Sequence, residues 1–255
     1  MPVTVSFNGD QSRAAFQLAH PKGNIITLEM VRALRSGLES VGGNPRLKLV
    51  TIEGEGSDFS FGASIPEHAA DHIATVLPEM HGLLEDLLDL PAATAAVVRG
   101  RCLGGGFELA LACDLIFAAH GATFGLPEID LGVFPPAGCV LLPLRVGPMR
   151  AARAVLTGRS QPAAEWLECG LLTMVAPPES LRAAVDEWFD GNLRSKSAAA
   201  LRHAVVAFRA GIRAQVRALL PDAERLYLDE LMRTHDAGEG IEAFLQKRVP
   251  RWQDR

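Results

Sequence analysis

The sequence predicts an α/β domain that gives way to a helical C-terminal region. Three observations carry that prediction. Strand-like segments alternate with helical periods through the first part of the chain. Beyond about Pro178 only helical periods remain. The 255 residues are 48% apolar and 22% charged, which suits a folded chain with one large domain or one domain and an appendage. The division falls after residue 190, with a catalytic core over 1–190 and a helical region over 191–255.

Val3, Val5 and Phe7 alternate with Thr4 and Ser6, the pattern of a half-buried strand. Asn8-Gly9 signals a hairpin turn, and Ala14 to Leu18 is the returning strand. Thr27 is placed to cap a helix with Leu28, Val31, Leu34, Leu38 and Val41 on one face. Gly42-Gly43-Asn44-Pro45 ends it. Leu47 to Ile52 reads as strand. A second helix starts at about Pro78, with Leu77, Met80, Leu84, Leu87 and Leu88 on one side. Ala95 to Arg99 is strand, Gly104 opens a helix, and Leu115 to Ala118 is strand again. A strand, strand, helix rhythm that repeats favours an α/β domain over a sandwich. Farther on, Leu181 to Phe189, Ala198 to Leu219, Asp222 to Thr234 and Glu239 to Val249 carry helical periods. Val205, Phe208 and Leu219 are expected on an apolar side, with breaks at Gly191-Asn192 and Pro221. Such a tail buries its face on the main domain or on another subunit.

The net charge of −5 and pI of 5.8 show no basic surplus, so nucleic acid is not an expected partner. Arg145, Arg150, Arg153 and Arg159 read first as a solvated face, although they could also serve an anionic ligand. Cys102, Cys113, Cys139 and Cys169 form no C-x-x-C pair and sit in apolar surroundings. They are expected to be buried reduced thiols, with no metal site. Met1 to Phe7 does not resemble a signal peptide. The longest apolar stretch, Leu103 to Ala119, holds Glu108, Asp114 and three glycines and would cross a bilayer poorly. A cytoplasmic location without a membrane partner is expected.

Three segments carry candidate chemistry. In Gly104-Gly105-Gly106-Phe107-Glu108, glycines open a helix just after a strand. They let a ligand approach the backbone, and the helix start offers unpaired N–H groups suited to an oxyanion. Phosphate binding and close helix packing remain alternatives for that pattern. Glu108 sits among Phe107, Leu109, Ala110 and Leu111, where a buried carboxylate is usually paired or functional, although an exposed helix position also fits. Glu128, in Phe124-Gly125-Leu126-Pro127-Glu128, is a second acid in apolar company, and two such acids can share acid and base duties. Asp58-Phe59-Ser60-Phe61-Gly62-Ala63-Ser64 is a small-residue turn that could add one more backbone N–H.

In this order and at these separations, the segments resemble the enoyl-CoA hydratase/isomerase (crotonase) family over nearly the whole chain. His20-Pro21-Lys22-Gly23-Asn24 looks like its arginine-proline-x-x-x-asparagine stretch in degraded form. Phe59 to Ala63 looks like its F-x-A-G-A-D segment. Leu103 to Ala110 is close to its most specific motif, and Phe124 to Gly132, Val155 to Gly158 and Cys169 to Leu171 match later ones. The resemblance implies a crotonase-like spiral of repeated ββα units and a helical region that builds a homotrimer or a dimer of trimers. It implies an acyl-CoA thioester substrate with no separate cofactor, since coenzyme A arrives as part of the substrate. It implies an oxyanion hole from the N–H groups of Ala63 and Gly105, with Glu108 handling the water and Glu128 the carbon-bound proton. Lys22, Ser64, Ile65, Gly106, Pro136, Phe244 and Lys247 match positions at the substrate or coenzyme A, Lys247 from a neighbouring subunit.

Two departures stand out. Ser64 replaces the family's aspartate, and Pro136 stands where ordinary hydratases have a glycine whose N–H helps hold the water. Proline has no N–H to give, although it is also a favoured first residue of a helix. Phe61 to His68 and Gly132 to Ala137 look most like the branch that hydrates a cyclic diene, cyclohexa-1,5-diene-1-carbonyl-CoA. A linear enoyl-CoA hydratase of fatty-acid oxidation, an isomerase or hydrolase on the same scaffold, and a non-catalytic trimeric RNA-binding relative are the alternatives. His68 could line the pocket, act as an acid or sit on the surface, and Trp166 is a further residue whose reach the sequence leaves open.

Overall fold

The computed structural model describes residues 1–68 and 70–255. Among them a six-stranded sheet runs in the order β1 (Val3–Phe7), β2 (Arg13–Leu18), β3 (Leu49–Gly54), β4 (Ala93–Val98), β6 (Leu115–Ala119), β9 (Met174–Ala176). Only β1 and β2 are antiparallel; the remaining neighbours are parallel. A second sheet holds β5 (Arg101–Leu103), β7 (Thr123–Gly125) and β8 (Gln161–Pro162). Successive strands divide between the two: β4 enters the large sheet and β5 the small one, then β6 the large and β7 the small. Helix α3 (Gly105–Ala112) follows β5, so the anticipated strand, strand, helix rhythm is present.

Parallel strands with helices on both faces are buried on both faces. In β3, Val50 and Ile52 face the main core with α1 (Leu28–Gly42) and α2 (Ala70–Asp89). Leu49 packs on the opposite side against α7 (Leu181–Phe189). Helices α4 (Pro136–Val146), α5 (Pro148–Thr157) and α6 (Ala163–Glu168) complete the first part, and α8 (Ala198–Arg225) and α9 (His235–Leu245) follow. Thr27 caps α1 as expected, accepting from the Met30 N–H at 3.2 Å. No described helix is long and apolar enough to cross a membrane.

Several expectations need correction. Helix α2 begins at Ala70 and runs through Pro78. Ile73, Leu77, Met80, Leu84 and Leu87 are buried along it, and that burial outweighs a proline penalty of about 3 kcal/mol. Helix α8 likewise continues through Pro221 to Arg225, held by buried Val216 and Leu220. A π turn at Leu226–Glu230 and a 3₁₀ turn at Leu231–Arg233 then replace the separate helix expected over 222–234. In β1 only Val3 is buried, because an edge strand overhangs the core; Val5 and Phe7 are exposed. Cys102 and Cys113 are buried, whereas Cys139 and Cys169 are half-buried; all four are free thiols.

On α8, Val205 is buried but Phe208 and Leu219 are exposed, and Arg209 goes inside instead. Its Nε donates to Asp114 Oδ1 at 2.8 Å and its Nη2 to Asp114 Oδ2 at 2.5 Å. Its remaining N–H groups reach the carbonyls of Leu87 and Leu88 at the end of α2 and of Leu90 and Ala92 just beyond it. One guanidinium thereby ties α8 to α2, β4 and β6.

Candidate active site

Gly104 is where the site begins. It caps α3 with φ 50° and ψ −128°, a region open to glycine, and its N–H donates to Gly125 O at 2.9 Å. That bond continues the β5–β7 ladder, in which Leu103 pairs with Gly125. The ladder carries the 3₁₀ turn Pro127–Leu131 over the start of α3. A Cβ on Gly104 would stand 2.7 Å from Glu128 Oε1, so the glycine also makes room for that carboxyl. Glu108 lies one helical turn farther along α3. Two acids from separate motifs therefore meet at one helix end.

Helix α3 is buried on every side, Glu108 included. Glu108 Oε1 accepts the Gly138 N–H at 2.7 Å. Gly138 lies in the first turn of α4, where N–H groups have no partner within the helix and favour negative charge. Burial pushes the Glu108 carboxyl up, while the Gly138 N–H, the His81 charge and the Ala137 N–H pull it back. Glu128 is half-buried as a residue, yet its Oε2 is sealed from solvent with no hydrogen-bond partner. Burial first, and the negative charge of Glu108 second, push Glu128 well above the usual carboxylate range. The two titrate as a coupled pair, in which Glu108 carries the negative charge more readily and Glu128 keeps a proton.

A candidate anion cradle lies beside them. Ala63 bridges Ile26 in parallel fashion: Ile26 N–H donates to Gly62 O at 2.9 Å and Ser64 N–H to Ile26 O at 3.0 Å. The Ala63 N–H therefore points the other way. Its nitrogen lies 3.4 Å from where a Cβ on Gly105 would stand, and Gly105 is the first residue of α3, with an N–H free of intrahelical bonding. A Cβ on Gly106 would meet Ser60 Cβ at 2.6 Å, so the third glycine serves close packing. Close packing, one of the readings left open for the glycine run, thus holds at Gly106.

The surroundings are mostly apolar. Ile73, Leu77, Val133, Tyr227 and Ala237 form a buried cluster joined by Leu131 and Phe134. Cys139 is pushed up to about 12 by burial and then by the charges of Glu108 and Glu128. His81 Nδ1 lies 2.5 Å from Glu224 Oε2 on α8.

The remaining sequence candidates scatter. Ser64 is buried at the start of the 3₁₀ turn Ile65–His68, and Ile65 is half-buried. His68 Nδ1 donates to Ser64 O at 2.9 Å, and burial pulls this imidazole down toward its neutral form. Pro136 is buried as the first residue of α4, so it does start a helix. Lys22 is exposed at the edge of a groove of about 510 Å³ lined by His20, Gly23, Asn24, Glu55, Asp58 and Phe61. Another groove, of about 570 Å³ between α1 and α2, is lined by Arg32, Arg35, Glu79 and Asp86, whose charges pair with each other. Phe244 and Lys247 are exposed at the end of α9. Trp166 packs edge-on against Phe107 at 5.5 Å within the core. Sequence reasoning missed His81, Tyr227 and Glu224. A signal existed: His81 interrupts the apolar stripe of α2, and Tyr227 is flanked by two leucines.

The enoyl-CoA hydratase/isomerase family profile matches residues 9–255. The chain belongs to the enoyl-CoA hydratase/isomerase family. Among family members, the cyclohexa-1,5-dienecarbonyl-CoA hydratase of Thauera aromatica is 44% identical, covering 100% of this chain and 98% of its own. A probable enoyl-CoA hydratase of Bacillus subtilis is 30% identical, covering 98% of each chain. The crystal structure of an enoyl-CoA hydratase from Mycobacterium avium subsp. paratuberculosis superposes with a TM-score of 0.87 at 29% identity, over 100% of this chain and 99% of that one. The expected crotonase-type fold of the enoyl-CoA hydratase/isomerase family, with its helical C-terminal region, is the fold observed.

Proposed function

We propose that this enzyme adds water to the ring of cyclohexa-1,5-diene-1-carbonyl-CoA, or to a close cyclic dienoyl-CoA. The unequal carboxyl pair carries the chemistry. Glu108, with the Gly138 N–H on its Oε1, is the base that takes a proton from water. The water oxygen bonds to the β-carbon, and the displaced electron pair moves through the conjugated system to the thioester oxygen. The N–H groups of Ala63 and Gly105 hold that oxygen, where donors act strongly because water is excluded. Glu128, which keeps its proton, returns one to a carbon of the enolate. Atoms and charge balance, and each acid starts in the state that its surroundings favour.

The full-length likeness to the Thauera aromatica protein supports the ring substrate, as do the segments around Ser64 and Pro136. The coenzyme A would run from the Ala63 turn toward the groove edged by Lys22, with Ser64, Ile65 and Gly106 near the thioester. Assayed side by side, the cyclic dienoyl-CoA should turn over at least about tenfold faster than crotonyl-CoA by kcat/KM. Faster turnover of the linear thioester would replace this reading with general enoyl-CoA hydration. In deuterated water, the labelled carbon of the product reports where Glu128 delivers its proton.

A cytoplasmic homotrimer, or a dimer of trimers, completes the proposal, with Phe244 and Lys247 at coenzyme A, Lys247 from a neighbouring subunit. Val206, Phe208 and Leu219 on α8 are exposed apolar side chains that a subunit contact would cover. Sedimentation should give about three or six times the 27.3 kDa chain mass; a monomer would leave Lys247 without its role.

A further inference from the structure

Glu128 Oε2, His81 Nε2 and the Tyr227 phenol oxygen are buried without a hydrogen-bond partner among the described residues. Buried polar atoms are paired in the great majority of cases, and each exception calls for an explanation. Tyr227 is the only tyrosine of the chain and is 1% exposed. Its ring packs edge-on against Phe134 at 5.5 Å. Phe134 leads directly into the segment whose Gly138 N–H binds Glu108. Val133, in the same cluster as Tyr227, donates its N–H to Glu128 O at 3.2 Å. The phenol thus leans on the two segments that hold the carboxyl pair.

Its backbone is held in an unusual way. Tyr227 lies on the π turn Leu226–Glu230, and such turns within helices concentrate at functional sites. Glu224, three residues earlier, is bound to His81 on α2, which pins this helix end beside the site. The start of α4, by contrast, has few donors to spare. The Gly138 and Ala137 N–H groups are both directed at Glu108, Cys139 N–H goes to Pro135 O at 2.8 Å, and Pro136 has none. An ionised Glu108 can only accept. Water held by Glu108 would therefore find no free donor for its oxygen at the start of α4, and the Glu128 proton is committed to carbon.

We infer that Tyr227 is a further catalytic residue, whose phenol O–H donates a hydrogen bond to the oxygen of the water that Glu108 deprotonates and of the hydroxyl group that it becomes. Burial, then Glu128 and Glu108, push the phenol above its ordinary value, so it remains a donor throughout the working pH range. Tyr227 transfers no proton; it orients the oxygen in the forward direction and steadies the departing oxygen in the reverse. This role rests on the hydratase reading above.

Tyr227→Phe keeps the ring and its packing. It should lower kcat by about 10²-fold with KM changed by less than about threefold, and with the thermal midpoint nearly unmoved. A kcat within about threefold of wild type, where the wild type does hydrate the dienoyl-CoA, overturns this role alone. A wild type that hydrates no thioester overturns the hydratase reading and this role with it. If the variant fails to fold, 3-fluorotyrosine incorporated into the wild-type chain labels this single site. Its fluorine resonance should shift on saturation with cyclohexanecarbonyl-CoA, and an unmoved line overturns the placement.

Discussion

Replacing Glu108 by glutamine is expected to lower the hydration rate by roughly 10²–10⁴-fold, and Glu128→Gln to do the same. In Glu108→Gln the amide keeps the volume and can still accept the Gly138 N–H through its oxygen, so the fold should survive. What it cannot do is take a proton from water. In Glu128→Gln the amide has no acidic proton to give to carbon. The two positions act on one reaction, so the double variant should be little slower than either single one. Steady-state rates on the dienoyl-CoA measure this directly. Full retention of activity in either variant would point to a single-acid, isomerase-like mechanism.

The same pair separates catalysis from stability. A carboxyl raised in the folded state stays protonated to a higher pH than in the unfolded chain. The unfolded state then loses its proton first, and stability falls as pH rises from about 4.5 toward the raised folded value. Glu128→Gln removes this penalty. The variant should gain thermal stability relative to wild type at pH 8 and gain little at pH 4, while losing activity at both. Equal midpoint shifts at the two pH values would contradict the burial argument.

The second large effect concerns the buried guanidinium. Arg209→Met should destabilise the protein by about 3–5 kcal/mol, because it leaves Asp114 buried without its counter-charge. For a chain of this size that is a fall in thermal midpoint of roughly 6–20 °C. The carbonyls of Leu87, Leu88, Leu90 and Ala92 also lose their donor. Adding Asp114→Asn should recover part of the loss, since the uncompensated charge goes with it. Calorimetry of the two variants decides the matter. A midpoint within a degree or two of wild type for Arg209→Met would show that this clasp does not hold α8 in place.

The strand, strand, helix rhythm, the Thr27 cap and the acid-bearing motifs were readable, because each depends on neighbours within a few residues. The helices run through Pro78 and Pro221, where the sequence predicts ends, because a local rule about proline yields to burial contributed by distant segments. The inward place of Arg209 is beyond a local pattern for a similar reason. Its place inside depends on Asp114 and on the end of α2, neither of which is near it in sequence.

The site divides along the same line. From the sequence alone came the two glutamates, the glycine run and the family resemblance, since those motifs are contiguous strings. Tertiary structure decided which glutamate keeps its proton: the α4 N-terminus gives Gly138 to Glu108 and leaves Glu128 Oε2 with no partner. It also packed Tyr227 with Val133 and Phe134, beside the segments that hold the carboxyls, and paired His81 of α2 with Glu224 of α8. Proton affinity follows from burial and from facing charge, and both are properties of packed neighbours rather than of the chain order.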